Sequence, residues 1–93
     1  MRESVNCDDA TVALMALSWM LQDQTLADRF MGLTGLSPDE LRAGIGSADM
    51  QGAILEFLAG NEADLVAAAD GLGVAPERIV VARDALAGRR IEL

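Results

Sequence analysis

From Ala53 to Gly73 the chain reads as two helical segments divided by one break, and this pairing leaves it few folds to choose from. Ala53 to Ala59 is apolar at helical spacing, and Gly60-Asn61 interrupts it. Glu62 to Leu72 then resumes the period until Gly73 stops it. A core for these segments must be aliphatic, since apolar residues are 52% of the chain and aromatics only 3%. Leu, Ala, Val, Ile and Met are the palette, and it favours helix over strand. Ninety-three residues make a single domain, 1–93, burying roughly 60–65% of its unfolded surface.

A weaker copy of the same stretch lies 38 residues upstream. Under that ungapped shift Trp19 meets Phe57, Asp23 meets Asn61, Gly35 meets Gly73, Pro38 meets Pro76, and Leu41 meets Ile79. Two explanations stay open. A three-helix unit is duplicated, as 8–46 and 47–88, or helical hairpins of similar length share their punctuation. Both give an all-α fold, a compact array of about six short helices with connections of about 2–4 residues.

Read in order, residues 1–7 are expected to form a flexible arm. A first helix starts at Asp8 or Asp9, whose carboxylates can cap free amides, and runs to about Gln22. It is apolar on two sides. Val12, Met15, Ala16 and Trp19 make one stripe and Ala10, Leu14, Leu17 and Leu21 the other, so both sides ask for cover. A second helix covers Gln24 to Thr34, with Leu26, Phe30 and Leu33 on one face and Gly35 at its stop. Ser37-Pro38-Asp39-Glu40 opens a third with a capping box and a first-turn proline, and it ends at Gly44 or Gly46. In the second half, helices are expected over Ala48–Ala59, from an Asn61 cap to Leu72, and from Pro76 to near Gly88. Met50, Ile54, Phe57 and Leu58 then face the core, followed by a tail at 89–93.

Three segments together suggest a family: Phe30-Met-Gly-Leu-Thr-Gly-Leu-Ser-Pro-Asp-Glu-Leu-Arg42, Ile54-Leu-Glu-Phe-Leu58, and Gly71-Leu-Gly-Val-Ala-Pro-Glu-Arg78. In their order they resemble domain of unknown function family 3572, small bacterial, largely alphaproteobacterial proteins in which a Glu-Phe-Leu motif recurs. The resemblance spans roughly Thr11 to Leu86 and places the motif at Glu56, Phe57 and Leu58. It implies a helical fold and carries over no catalytic residue.

Composition removes whole chemistries. All seven cations are Arg; with no His there is no imidazole base or metal ligand, and with no Lys no Schiff-base amine. A formal charge of −8 repels phosphate backbones and anionic bilayers, which argues against nucleic acid and membrane partners. Cys7 is the single cysteine, so no intrachain disulfide forms and a reducing compartment fits. Acids at Asp8 and Asp9 precede the run Ala10–Leu21, which is too short to span a bilayer and lacks a signal-peptide cleavage site. A cytoplasmic protein is therefore expected.

The carboxylates stand mostly at helix starts, where capping explains them, and no calcium-loop spacing occurs. Catalytic, cofactor-binding and metal residues are accordingly expected to number none, and no cofactor is implied. Glu56 points away from the Met50/Ile54/Phe57 stripe, toward solvent or toward an Arg or a neighbouring helix start. With Phe57 and Leu58 it is a candidate structural motif. Leu14, Leu17 and Leu21 are the candidate interaction surface, unless they pack within the chain against Gly52, Leu55 and Ala59. The leading expectation is a non-catalytic interaction module that acts on another protein or on itself, as a homodimer through the first helix. The alternative is a small enzyme or ligand-binding protein using Asp/Glu and Arg side chains.

The capping box makes a direct prediction. Ser37→Ala should destabilise the domain by about 0.5–2 kcal/mol, because an amide at the helix start loses its acceptor. An unchanged denaturation midpoint would mean that Ser37 caps nothing.

Overall fold

Six helices follow one another in the order the punctuation predicts, among the residues that the computed structural model describes (8–90, with side chains through Gly88). They are α1 (Asp9–Met20), α2 (Gln24–Thr34), α3 (Pro38–Gly44), α4 (Ala48–Ala59), α5 (Glu62–Leu72) and α6 (Pro76–Arg90). The fold is all-α. The expected arm, with Cys7, and the tail residues 91–93 lie outside the described residues. Among those described, no helix is long and apolar enough to cross a membrane.

The local chemistry of the ends accounts for these boundaries. Asp8 accepts the Thr11 amide at 2.8 Å and Asp23 that of Leu26 at 3.2 Å, each satisfying a donor with no partner inside its helix. Ser47 and Asn61 do the same for Met50 and Asp64, at 3.2 and 3.1 Å. At α3 the capping box closes in both directions. The Glu40 amide donates to Ser37 Oγ at 3.1 Å, and the Ser37 amide donates to Glu40 Oε1 at 2.8 Å. Gly35 and Gly73 both take φ 74°, the left-handed conformation that ends α2 and α5.

Two ends differ from the expectation. α1 stops at Met20, because Asp23 needs extended backbone (φ −115°, ψ 105°) to cap α2, and the chain must turn before it. α6 passes through Gly88 to Arg90. Glycine stops a helix when it adopts positive φ, and among the described glycines only Gly35 and Gly73 do so. Gly88 merely weakens the helix interior, by about 1 kcal/mol relative to Ala.

α4 and α6 form the most extensive helix pair, and α1 packs across α4, α5 and α6. One core collects residues from all six helices, among them Phe30, Leu41, Leu55, Ala68 and Leu86. The 38-residue register holds for the ends of α2 and α5. The packing around them does not repeat it: α1 joins the second-half helices, while α2 and α3 sit with fewer neighbours at the margin.

The two-stripe reading of α1 needs correction. Its buried residues are Val12, Ala13, Ala16 and Met20, a single face that keeps Val12 and Ala16 of the first stripe and turns from it toward Ala13 and Met20. Alanines occupy much of it because small side chains let α1 approach its neighbours closely. Trp19 is only half-buried, beside Gly71 of α5.

That contact sets two opposed glycine substitutions. A Cβ at Gly71 would stand 2.3 Å from Trp19 Nε1, whereas one at Gly32 would meet nothing within 4 Å. Gly32→Ala should stabilise by about 0.5–1 kcal/mol through helix propensity alone. At Gly71 the overpacking cost of about 1–3 kcal/mol exceeds that gain, so Gly71→Ala should lower the melting midpoint and shift Trp19 emission. Equal midpoints for the two variants would show that the indole swings aside freely.

Candidate functional site

Two places combine apolar and charged side chains from separate helices. The first is built on the Glu56-Phe57-Leu58 segment of α4. Three successive positions on a helix point in three directions, about 100° apart, so the segment meets three environments. Leu58 is fully buried in the core, Phe57 half-buried, and Glu56 exposed. The Phe57 ring meets Phe30 of α2 edge-to-face, with centroids 5.2 Å apart and planes at 74°, an arrangement worth about 0.5–1.5 kcal/mol beyond its buried area.

On the outer side of this pair lies Arg29, its guanidinium carbon 5.4 Å from the Phe57 centroid. The same guanidinium is ion-paired with Asp64 at the start of α5. Arg29 thus fastens α2 to α4 through a ring face and to α5 through a carboxylate. Its outward position in the helical period disguised this role, since its partners are 28 and 35 residues away in sequence. A second ion pair, Arg78 Nη1 to Asp9 Oδ1 at 3.0 Å, ties the start of α6 to that of α1. Asp9 and Asp64 make these ties, while Asp8, Asp23 and Glu40 cap helix starts. Among the described residues, no three acids or other metal-ligating side chains gather into a cation site.

The second place is an apolar groove of about 470 Å³ where the end of α1, α2 and α3 come together. It is lined by Leu17 of α1 and the α1 cap Leu21, by Ala27 and Met31 of α2, and by Pro38, Leu41 and the α3 cap Ile45. Gln24, Asp28 and Arg42 mark its rim. Leu17 also packs against the core, whereas Leu21 is 50% exposed. Leu14 is 45% exposed and lies outside the groove lining. The α2 and α3 walls were not singled out from the sequence. Ala27 and Met31, at i and i+4, carried the one available signal. A smaller cleft of about 270 Å³ lies beside Trp19, bounded by Met15, Gln22 and Gly71.

A model of the family described as protein of unknown function DUF3572 matches residues 8–89. The chain belongs to the DUF3572 family. No curated protein and no solved structure matches it. The match runs from the Asp8 cap into the last turn of α6, so the groove and the Glu56–Leu58 segment both lie inside the DUF3572 region.

The geometry of the DUF3572 chain separates the roles of two adjacent residues. Leu58→Ala, opening a hole in the core, should cost about 2–5 kcal/mol. Phe57→Leu keeps most of the apolar area but loses both ring contacts, and should cost about 0.5–1.5 kcal/mol. Chemical denaturation of the two variants checks the order. A larger loss for Phe57→Leu would place the aromatic pair, rather than the aliphatic core, at the centre of stability.

Proposed function

We propose that this DUF3572 chain is a non-catalytic interaction module whose working surface is the groove between α1, α2 and α3. The observation that supports it is an apolar concavity on a small protein. Seven of the ten lining residues are apolar, and Leu21 in the wall is half exposed. Concave apolar surfaces of about 300–1,000 Å³ with a few polar groups at the edge are the usual form of a binding site. Residue chemistry favours binding over catalysis, since the chain has no His or Lys. The groove's charged residues, Asp28 and Arg42, stand on different helices, and Arg42 Nη1 is held by Asp39 Oδ1 at 2.9 Å. An acid–base pair converging on one reacting atom is not the arrangement this suggests.

Leu21→Glu places a charge in the groove at a half-exposed position, and Met31→Glu places one where the side chain also packs against the core. Affinity capture from the native cell should recover a partner with the wild-type chain and lose it with both variants, whose helical content by circular dichroism stays unchanged. Recovery of the same proteins by folded variants and wild type would overturn the groove as the working surface.

A further inference from the structure

We propose that α2 and α3 form a detachable unit, residues 24–44, which opens ahead of the other four helices and is latched shut by Arg29. The helix packing sets this unit apart. Each of α1, α4, α5 and α6 packs against each of the other three, which makes a closed four-helix body. α2 makes an extended backbone approach only to α1, its neighbour in sequence, and α3 makes none. To the buried apolar core α2 and α3 contribute Leu26, Ala27, Phe30 and Leu41; the other buried apolar residues among those described belong to the body. The body therefore keeps most of its core when the unit leaves. The unit keeps little. α2 has 11 residues and α3 has 7, and a helix shorter than about 12–15 residues is marginal in water without tertiary contacts. Released, both helices melt, and their amides become exposed in one step.

The latch is a single polar connection. Among the described residues, the pair of Arg29 with Asp64 of α5 is the one ion pair or side-chain hydrogen bond that carries 24–44 to a distant helix. The others stay inside the unit, as Gln24–Asp28, Ser37–Glu40 and Arg42–Asp39 do, or end on the flanking caps Asp23 and Ser47. The Arg29 guanidinium also lies 5.4 Å from the Phe57 centroid, and Phe30 packs edge-to-face on that ring, so latch and ring pair let go together. The turn into α4 stays with the body, because Gln51 of α4 donates to the Ile45 carbonyl at 2.9 Å. Leu21, whose amide donates to the Leu17 carbonyl at 2.9 Å, stays with it at the other end. Ala27, Met31, Pro38 and Leu41 ride on the unit, so the groove exists only while the latch is shut.

Native-state hydrogen exchange of the full chain, read residue by residue by NMR, tests this. The hydrogen-bonded amides of α2 and α3 should share one opening and be at least about tenfold less protected than those of Leu55, Leu58 and Leu86. They should also respond less to denaturant, since this opening exposes only part of the surface. Two variants separate a local opening from a global one. Ala82→Gly weakens α6, which the closed and the opened forms both contain. It should speed exchange in α4 and α6 about fivefold or more and leave α2 and α3 unchanged. Arg29→Gln removes an interaction that every opened form lacks, so it should speed exchange several-fold in α2, α3 and the body alike. Equal protection across the six helices in the wild type overturns the unit, whether or not a variant folds. Acceleration of α2 and α3 together with the body in Ala82→Gly overturns it as well. Fraying of α3 alone, with α2 as protected as α4, does the same. Unchanged exchange in folded Arg29→Gln overturns the latch.

Discussion

The enclosure of α4 is the constraint on which the rest of the structure depends. Gln51, Gly52, Ile54, Leu55 and Leu58 are all buried, an arc covering nearly half the helix circumference, and Met50, Ala53 and Phe57 on its flanks are partly covered. Within α4 only Asp49 and Glu56 are exposed. One helix cannot be surrounded in this way unless several others close around it. α6, α1 and α5 do so, and with aromatics only 3% of the chain the gaps between them must be filled by aliphatic side chains brought close. Ala13 and Ala16 on α1, Gly52 on α4, Ala68 and Ala69 on α5, and Ala82 on α6 are small buried residues that permit this approach.

A buried polar group accompanies the enclosure. Gln51 is 6% exposed, and its amide donates to the Ile45 carbonyl at 2.9 Å, across the turn between α3 and α4. A side-chain amide without such an acceptor would be costly there, so the bond fixes how the turn leaves α3. Ser47 Oγ, donating to the Gly44 carbonyl at 2.9 Å, secures the same turn. Ile45 is thereby held at the groove wall. The groove is thus a by-product of how α3 is carried to α4: Leu41 is drawn into the core, and the rest of α3 stands away from α1.

The margin helices explain why the apolar groove opens on that side of the molecule. α2 is fastened on one face through Phe30 and Arg29, to Phe57 and Asp64. Its other face, with Ala27 and Met31, looks into the groove. A small domain built around one largely enclosed helix has too few elements to cover every apolar side of the others. The uncovered side falls where α1 ends and α2 turns back. Leu21, the α1 cap, stays half exposed there, because the chain must leave the helix to let Asp23 cap the next one.

The helices, their ends and their number were legible in the residues, because capping, glycine stops and helical period act over a few positions. Ser37 with Glu40, Asp23, Asn61, Gly35 and Gly73 behave as local chemistry requires, whatever packs around them. The family match was legible in the order of three segments, 30–42, 54–58 and 71–78, all of which fall within the matched residues 8–89. The choice of face on α1 was not legible. Its apolar residues run nearly all round, so the period has no preferred direction, and only the arrival of α4, α5 and α6 selects Val12, Ala13, Ala16 and Met20 over the leucine stripe. The groove likewise joins Leu17 and Leu21 to Met31, Leu41 and Ile45, positions with no common period. Local interactions determine which residues form helices; which sides those helices bury depends on neighbours distant in sequence, and tertiary packing alone decides that.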